Sequence, residues 1–266
     1  MFSFFINSSV YFQVIIAGIF TWGVTAFGSA IVFFFKKVNV TILDAMLGLS
    51  GGVMIAASFF SLLNPAIKSA NELGMTSWLV VSLGFFCGGI VLIFGDILFN
   101  YILDKKKSKN IRSIKRSIML IFSITLHNIP EGLAIGVAFG SITAGIEGAT
   151  LISAVMLAIG VAIQNFPEGT AVSLPLRREN FSRTKSFFYG ALSGIVEPIS
   201  AFLGCLLIIY VRNILPFLLS FAAGAMIYVA ISELIPESQN NVNKNLMSFF
   251  TIIGFVVMMI LDVALS

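Results

Sequence analysis

His127-Asn128-Ile129-Pro130-Glu131-Gly132, echoed 37 residues later by Gln164-Asn165-Phe166-Pro167-Glu168-Gly169, decides how the rest of this chain is read. Both hexapeptides lie inside long apolar runs, where a carboxylate costs about 2.5 to 3.5 kcal/mol on insertion scales. Two such costs at matching positions need a shared reason. Each helical residue advances about 100°, so with His127 at zero Glu131 stands near 40° and Asn128 near 100°. The same offsets hold for Gln164, Glu168 and Asn165. If the two helices face one another, the glutamates sit centrally, with His127 and Gln164 on one side and Asn128 and Asn165 on the other. That is the geometry of two adjacent cation sites sharing bridging carboxylates.

The prolines add a second device. Pro130 and Pro167 each remove a helical N–H and crowd the carbonyl four residues earlier, at Leu126 and Ile163. Freed carbonyls in lipid need a partner or a wet cavity, which a cation path supplies. Gly132 and Gly169 let another backbone come close.

Composition bounds the class. Of the 266 residues 58% are hydrophobic and 11% charged, and the mean hydropathy is +1.01, which is a polytopic membrane protein rather than a soluble domain. Long apolar runs between short polar breaks indicate helices, since barrel strands would be runs of about ten residues with alternating polarity. The basic balance, with a pI of about 9.1, fits cytoplasmic loops rich in Lys and Arg, so no nucleic-acid partner is expected. Cys87 and Cys205 lie within apolar runs and read as packing residues, and no Cys-x-x-Cys or His-rich tract suggests a soluble zinc module.

The runs predict an all-α polytopic membrane protein with eight transmembrane helices. The first continues to about Phe35 and, with no Lys or Arg before it, reads as a span that stays rather than a cleaved signal. The others run from about Val40 to Ala66, Ser77 to Tyr101, Ser117 to Gly140, Thr150 to Leu176, Phe187 to Val211, Leu215 to Ile235 and Leu246 to Leu265. Residues 1–266 form a single transmembrane domain, with 104–116 a basic cytoplasmic loop. Lys36, Lys37, seven Lys/Arg in 104–116, four in 177–185 and Lys244 share one side, against Lys68 and Arg212 on the other. The positive-inside rule then puts both termini outside a cell membrane, with the basic loop touching lipid headgroups.

Other spans contribute candidates. The second holds Asp44 and, after the small stretch Gly48-Leu49-Ser50-Gly51-Gly52, Met54; the sixth holds Glu197-Pro198, the seventh Ser232-Glu233 and the eighth Asp262. A divalent ion held by Glu131, Glu168, neutral His127, neutral Gln164 and the Met54 thioether is formally neutral. A second ion gains Glu197. Mixed N, O and S ligands suit Zn²⁺ or Fe²⁺ better than Ca²⁺ or Mg²⁺. Because Asn128 and Asn165 are neutral, the His127 side is expected to bind more tightly, and the other side depends on Glu197.

These residues resemble the ZIP (Zrt-, Irt-like protein) family of divalent metal transporters, particularly its bacterial branch. The resemblance rests on the two hexapeptides, on Glu197-Pro198, and on Gly-Ala-Met-Ile-Tyr-Val-Ala-Ile-Ser-Glu-Leu-Ile-Pro-Glu at 224–237. It implies spans one to three and six to eight arranged as an inverted repeat around four and five, and a binuclear centre halfway across the membrane. One metal would be held by Met54, His127, Glu131, Gln164 and Glu168, the other by Asn128, Glu131, Asn165, Glu168 and Glu197. Asp44, Ser232, Glu233 and Asp262 match entrance and exit positions. The chain departs from many members in having Gln164 rather than His, Asn165 where relatives can have Asp, and no histidine in 104–116.

The expected function is transport of a divalent transition metal, zinc first, towards the cytoplasm, with the metal as substrate and no catalytic cofactor. Fe²⁺, Cd²⁺ and Mn²⁺ stay open as cargo, as does a homodimer. Two readings compete. An intramembrane zinc hydrolase would use three strong protein ligands, commonly histidines, and only one histidine is present. A channel or antiporter for a hard cation would show Mg²⁺ or Ca²⁺ competing against Zn²⁺.

Overall fold

The computed structural model describes residues 5–34, 40–104, 110–146, 149–179 and 181–265, and among these residues it contains helices and turns but no strand. The helices are α1 (Val10–Phe33), α2 (Val40–Glu72), α3 (Ser77–Asp104), α4 (Asn110–Thr143), α5 (Leu151–Arg178), α6 (Arg183–Leu206), α7 (Tyr210–Ser238) and α8 (Lys244–Leu265). All but α4 are long and apolar enough to cross a membrane over their described residues. Polar residues set the starts. Ser9 accepts from the Phe12 amide to cap α1, Ser182 does the same for Lys185 at α6, and Thr150 with Ser153 forms a capping box on α5.

Three local features differ from the sequence expectation. Residues 110–116, read as loop, belong to α4, because Lys and Arg are good helix formers and neither Gly nor Pro interrupts them; residues 105–109 lie outside the described residues. The sixth span is broken at Gly194-Ile195 into Arg183–Ser193 and Val196–Leu206, which sets Glu197 in the first turn of the second half. Within α2 and α7 the backbone widens into π-helical turns at Ser58–Leu63 and Ala230–Leu234, each just before a proline, Pro65 and Pro236. Such bulges mark functional sites often enough to be noted.

Packing runs in matched pairs. Helix α5 lies along α1, and α4 along the second half of α6; α8 packs on α2, and α3 on α7. Glycines permit each contact. A methyl added at Gly169 would collide with Thr25 O and Ser29 of α1, and one at Gly132 with Glu197 O and Ser200 of α6. In the outer pairs Gly52 meets Thr251 O and Gly254 meets Leu49 O, while Gly88 meets Phe221 O and Gly224 meets Phe85 O. Without a hydrophobic drive between helices in lipid, close backbone approach at small residues is what holds them.

The distribution of polarity suits a lipid solvent. Phe27, Phe86, Phe94, Ile152 and Tyr210 are exposed, whereas Thr21, Thr25, Asn128, Glu131, Gln164, Asn165, Glu168 and Glu197 are buried. Along α5 this polar layer is bounded by two apolar clusters, one holding Ala154, Ala158 and Val161, the other Ala171, Val172, Leu174 and Leu176.

Candidate metal centre

Helices α4 and α5 carry the two hexapeptides and continue as helix through Pro130 and Pro167. Each proline lacks the N–H that would bond the carbonyl four residues earlier, yet the helix runs on past it. Close by, Ser50 of α2 donates to Pro167 O at 3.3 Å and so joins α2 to α5.

Register follows from one contact. Gln164 Nε2 donates to Glu131 Oε1, which joins α5 to α4 at the centre of the bundle. The short α4–α5 connection makes the two helices antiparallel. One turn along, Glu168 therefore comes level with the backbone of His127. The His127 side chain lies outside the described residues. A second contact joins α5 to α6, with Asn165 Nδ2 donating to Glu197 Oε2 at 2.7 Å and to Thr21 O of α1 at 3.3 Å. Thr25 Oγ1 reaches the other Glu197 oxygen at 3.5 Å, and Asn128 Nδ2 donates to Ser193 O at 3.2 Å.

Burial is complete. Glu131 is 1% exposed, and Glu168, Glu197, Gln164, Asn165, Asn128 and Met54 are 0% exposed. Helix α2 runs antiparallel to α5, since Asp44 approaches Arg178 while Ser50 approaches Pro167. Met54, one turn beyond Ser50, is thereby level with Gln164.

The buried residues described include no Lys or Arg. Three carboxylates, Glu131, Glu168 and Glu197, are buried in this part of the bundle, and the described partners of Glu131 and Glu197 are amides and hydroxyls. The amides spend their N–H groups on this layer, and among the described residues the oxygens Asn128 Oδ1, Gln164 Oε1 and Asn165 Oδ1 have no hydrogen-bond partner. Buried acceptors of that kind are normally satisfied. A cation entering between α4, α5 and α6 meets carboxylate and amide oxygens together, the donor set of a divalent ion.

The structure thus brings Glu131 to Gln164 and Asn165 to Glu197, with Asn128, Glu168 and Met54 buried in the same part of the bundle. The four outlying candidates stand apart from it. Asp44 pairs with Arg178 where α2 begins. Asp262 of α8 accepts from Ser61 in the α2 π-turn at 2.8 Å. Ser232 and Glu233 occupy the α7 π-turn, and Ser232 lines a largely apolar cavity between α3 and α7.

Thr21, Thr25 and Ser193 were not singled out from sequence. The available signal was the polar stripe Thr21, Thr25, Ser29 at four-residue spacing in an otherwise apolar span, which places all three on one face.

Comparison with known proteins places the chain in a family. A family model described as ZIP Zinc transporter matches residues 104–262, more than half the chain and the part holding both hexapeptides and Glu197. The chain belongs to the ZIP family. Zinc transporter ZIP11 of Homo sapiens is 38% identical over 340 residues, covering 98% of this chain and 99% of the relative. Bacterial members of the ZIP family are similar too: zinc transporter ZupT of Streptococcus mutans is 35% identical over 250 residues, covering 88% of this chain and 90% of its own length. Zinc transporter GufA of Myxococcus xanthus is 33% identical over 226 residues, covering 82% and 85%.

Proposed function

We propose that this ZIP protein carries Zn²⁺ across a cell membrane towards the cytoplasm through a site built by α4, α5 and α6. The observation that carries the reading is the buried layer itself: Glu131, Glu168 and Glu197, each at most 1% exposed, beside three amide oxygens that accept no bond from a described residue. Carboxylates gathered in an apolar surrounding are costly to bury, and a divalent cation is a ligand to which such a layer is suited. Met54, His127, Glu131, Gln164 and Glu168 hold the first ion. Asn128, Asn165 and Glu197, with the shared glutamates, hold the second.

Gln164 and Asn165 turn their N–H groups to Glu131 and Glu197 and hold those carboxylates in place. When metal arrives, the amide rotates and offers oxygen, while the carboxylates coordinate in deprotonated form. Because the relatives are transporters, a hydrolase is not favoured.

The wider architecture belongs to the same proposal: eight spans, α4 included, with both termini outside. Helices α1–α3 and α6–α8 form an inverted repeat about α4 and α5. Its support is the matched packing, in which exchanging α4 with α5 turns the Gly132 contact on α6 into the Gly169 contact on α1, and turns the α2–α8 pair into the α7–α3 pair. A site at a repeat interface is where such folds bind cargo.

Uptake of radioactive zinc into liposomes containing the purified protein tests the reading. Glu131→Ala is expected to reduce uptake to the level of empty liposomes, and full uptake by that variant would remove the mechanism. Competition by Fe²⁺, Cd²⁺ and Mn²⁺ in the same assay ranks the cargo.

A further inference from the structure

One charged cluster lies outside the metal layer. Arg178 Nη1, at the end of α5, is 2.5 Å from Glu237 Oε1 of α7 and 3.6 Å from Asp44 Oδ1 of α2. Asn241 Nδ2 donates to Asp44 Oδ2 at 2.8 Å, and Ser238 Oγ donates to Asp44 O at 2.6 Å. A single guanidinium thereby ties together the beginning of α2 and the ends of α5 and α7. The burial is graded: the Asp44 side chain is 1% exposed, that of Glu237 15% and that of Arg178 35%. Arg178 and Asn241 are the side chains that reach the Asp44 carboxylate, and Arg178 is the more exposed member of its ion pair.

The cluster is placed in line with the metal layer. Asp44 is ten residues from Met54 on α2, and Arg178 is ten residues from Glu168 on α5. Each offset is about 15 Å along its helix, half the thickness of a hydrocarbon core of about 30 Å. Because α2 and α5 are antiparallel, the two offsets point to the same end. Under the orientation proposed above that end is cytoplasmic.

We infer that Arg178 is a latch on the cytoplasmic end of the path, its guanidinium resting between Asp44 and Glu237 where a departing divalent cation passes. The inference rests on the transport reading and on Asp44 as a path residue. Buried Asp44 needs a cation beside it, while a half-exposed arginine makes a pair that gives way readily. An ion arriving from the metal layer displaces the guanidinium, which swings into water on its flexible stem. After the ion leaves, the arginine returns to the carboxylates and closes the way back. Arg178 acts here as a positioning residue, holding three helix ends together without coordinating metal.

Thiol accessibility tests this independently of cargo. In a Cys87→Ala/Cys205→Ala background, Leu47→Cys places a thiol one turn deeper than Asp44 on α2, at a position 2% exposed. A membrane-impermeant thiol reagent applied to the cytoplasmic face should label it slowly. Arg178→Gln and Glu237→Gln should each raise the labelling rate roughly tenfold, as expected when a closed population is shifted towards open, while Arg178→Lys, which keeps the cation, stays near the parent rate. Fast labelling of the parent, or unchanged rates in both glutamine variants that remain monodisperse, would overturn the latch. Loss of zinc uptake in the unsubstituted protein would sink the transport reading without touching this result, so the two failures are distinguishable.

Discussion

Gln164 and Asn165 carry amides, groups with both an N–H donor and an oxygen acceptor, and the proposed metal site would use both. Each gives its N–H to a buried carboxylate. Asn165→Asp removes the donor and sets a second carboxylate against Glu197, so the metal-free protein should lose about 2 kcal/mol, read as a melting temperature lower by about 5 °C. Added Zn²⁺ should restore the loss, because a cation between the two carboxylates replaces the missing hydrogen. Thermal unfolding with and without metal measures both, and an apo protein of unchanged melting temperature would count against the contact. The angular placement of Glu131, Glu168 and their neighbours was legible from helical spacing alone. Thr21 and Thr25 were not, because hydroxyls in an apolar helix can satisfy themselves on the carbonyl four residues back, as Thr25 and Ser29 do. Only packing against α5 and α6 shows that Thr25 also reaches Glu197.

Among the elements, the proline-containing helices show what local rules can and cannot say. Pro130, Pro167 and Pro175 sit inside unbroken helices, while the π-turns of α2 and α7 precede Pro65 and Pro236. A missing N–H is a local fact, but whether the helix bends, widens or continues depends on the neighbours that take up the freed carbonyls. Deleting Phe59 should convert the α2 π-turn to regular helix, rotating Met54 and Ser61 relative to one another by about 100°. Zinc uptake should fall strongly while the protein still inserts and purifies, and unimpaired uptake would show the bulge to be incidental. The α1–α5 contact is tested at Gly169, where a side chain has no room beside Thr25 O. Gly169→Ala should cost about 1 to 3 kcal/mol through forced separation of the helices, seen as a lower melting temperature in detergent. An unchanged melting temperature would mean that α1 and α5 are farther apart in solution.

For the whole molecule, hydropathy carried the class, and the distribution of Lys and Arg set the proposed orientation, because a membrane sorts polarity and charge by rules that act on sequence directly. They could not carry the pairing of helices. That is encoded in glycines facing particular carbonyls, such as Gly88 at Phe221 and Gly254 at Leu49, and no spacing rule reveals which partner a glycine meets. Orientation remains checkable: a cysteine substituted for Ser108 in the basic segment should react with an impermeant reagent only from the cytoplasmic side, and labelling from outside would invert the topology. The central claim is that α4, α5 and α6 hold the transported ion. Anomalous X-ray scattering from crystals soaked in Cd²⁺ or Zn²⁺ addresses it directly. A peak between Glu131 and Glu168 is predicted, with a weaker second peak beside Glu197 and Asn165; metal bound only at other positions, with that layer empty, would contradict the account.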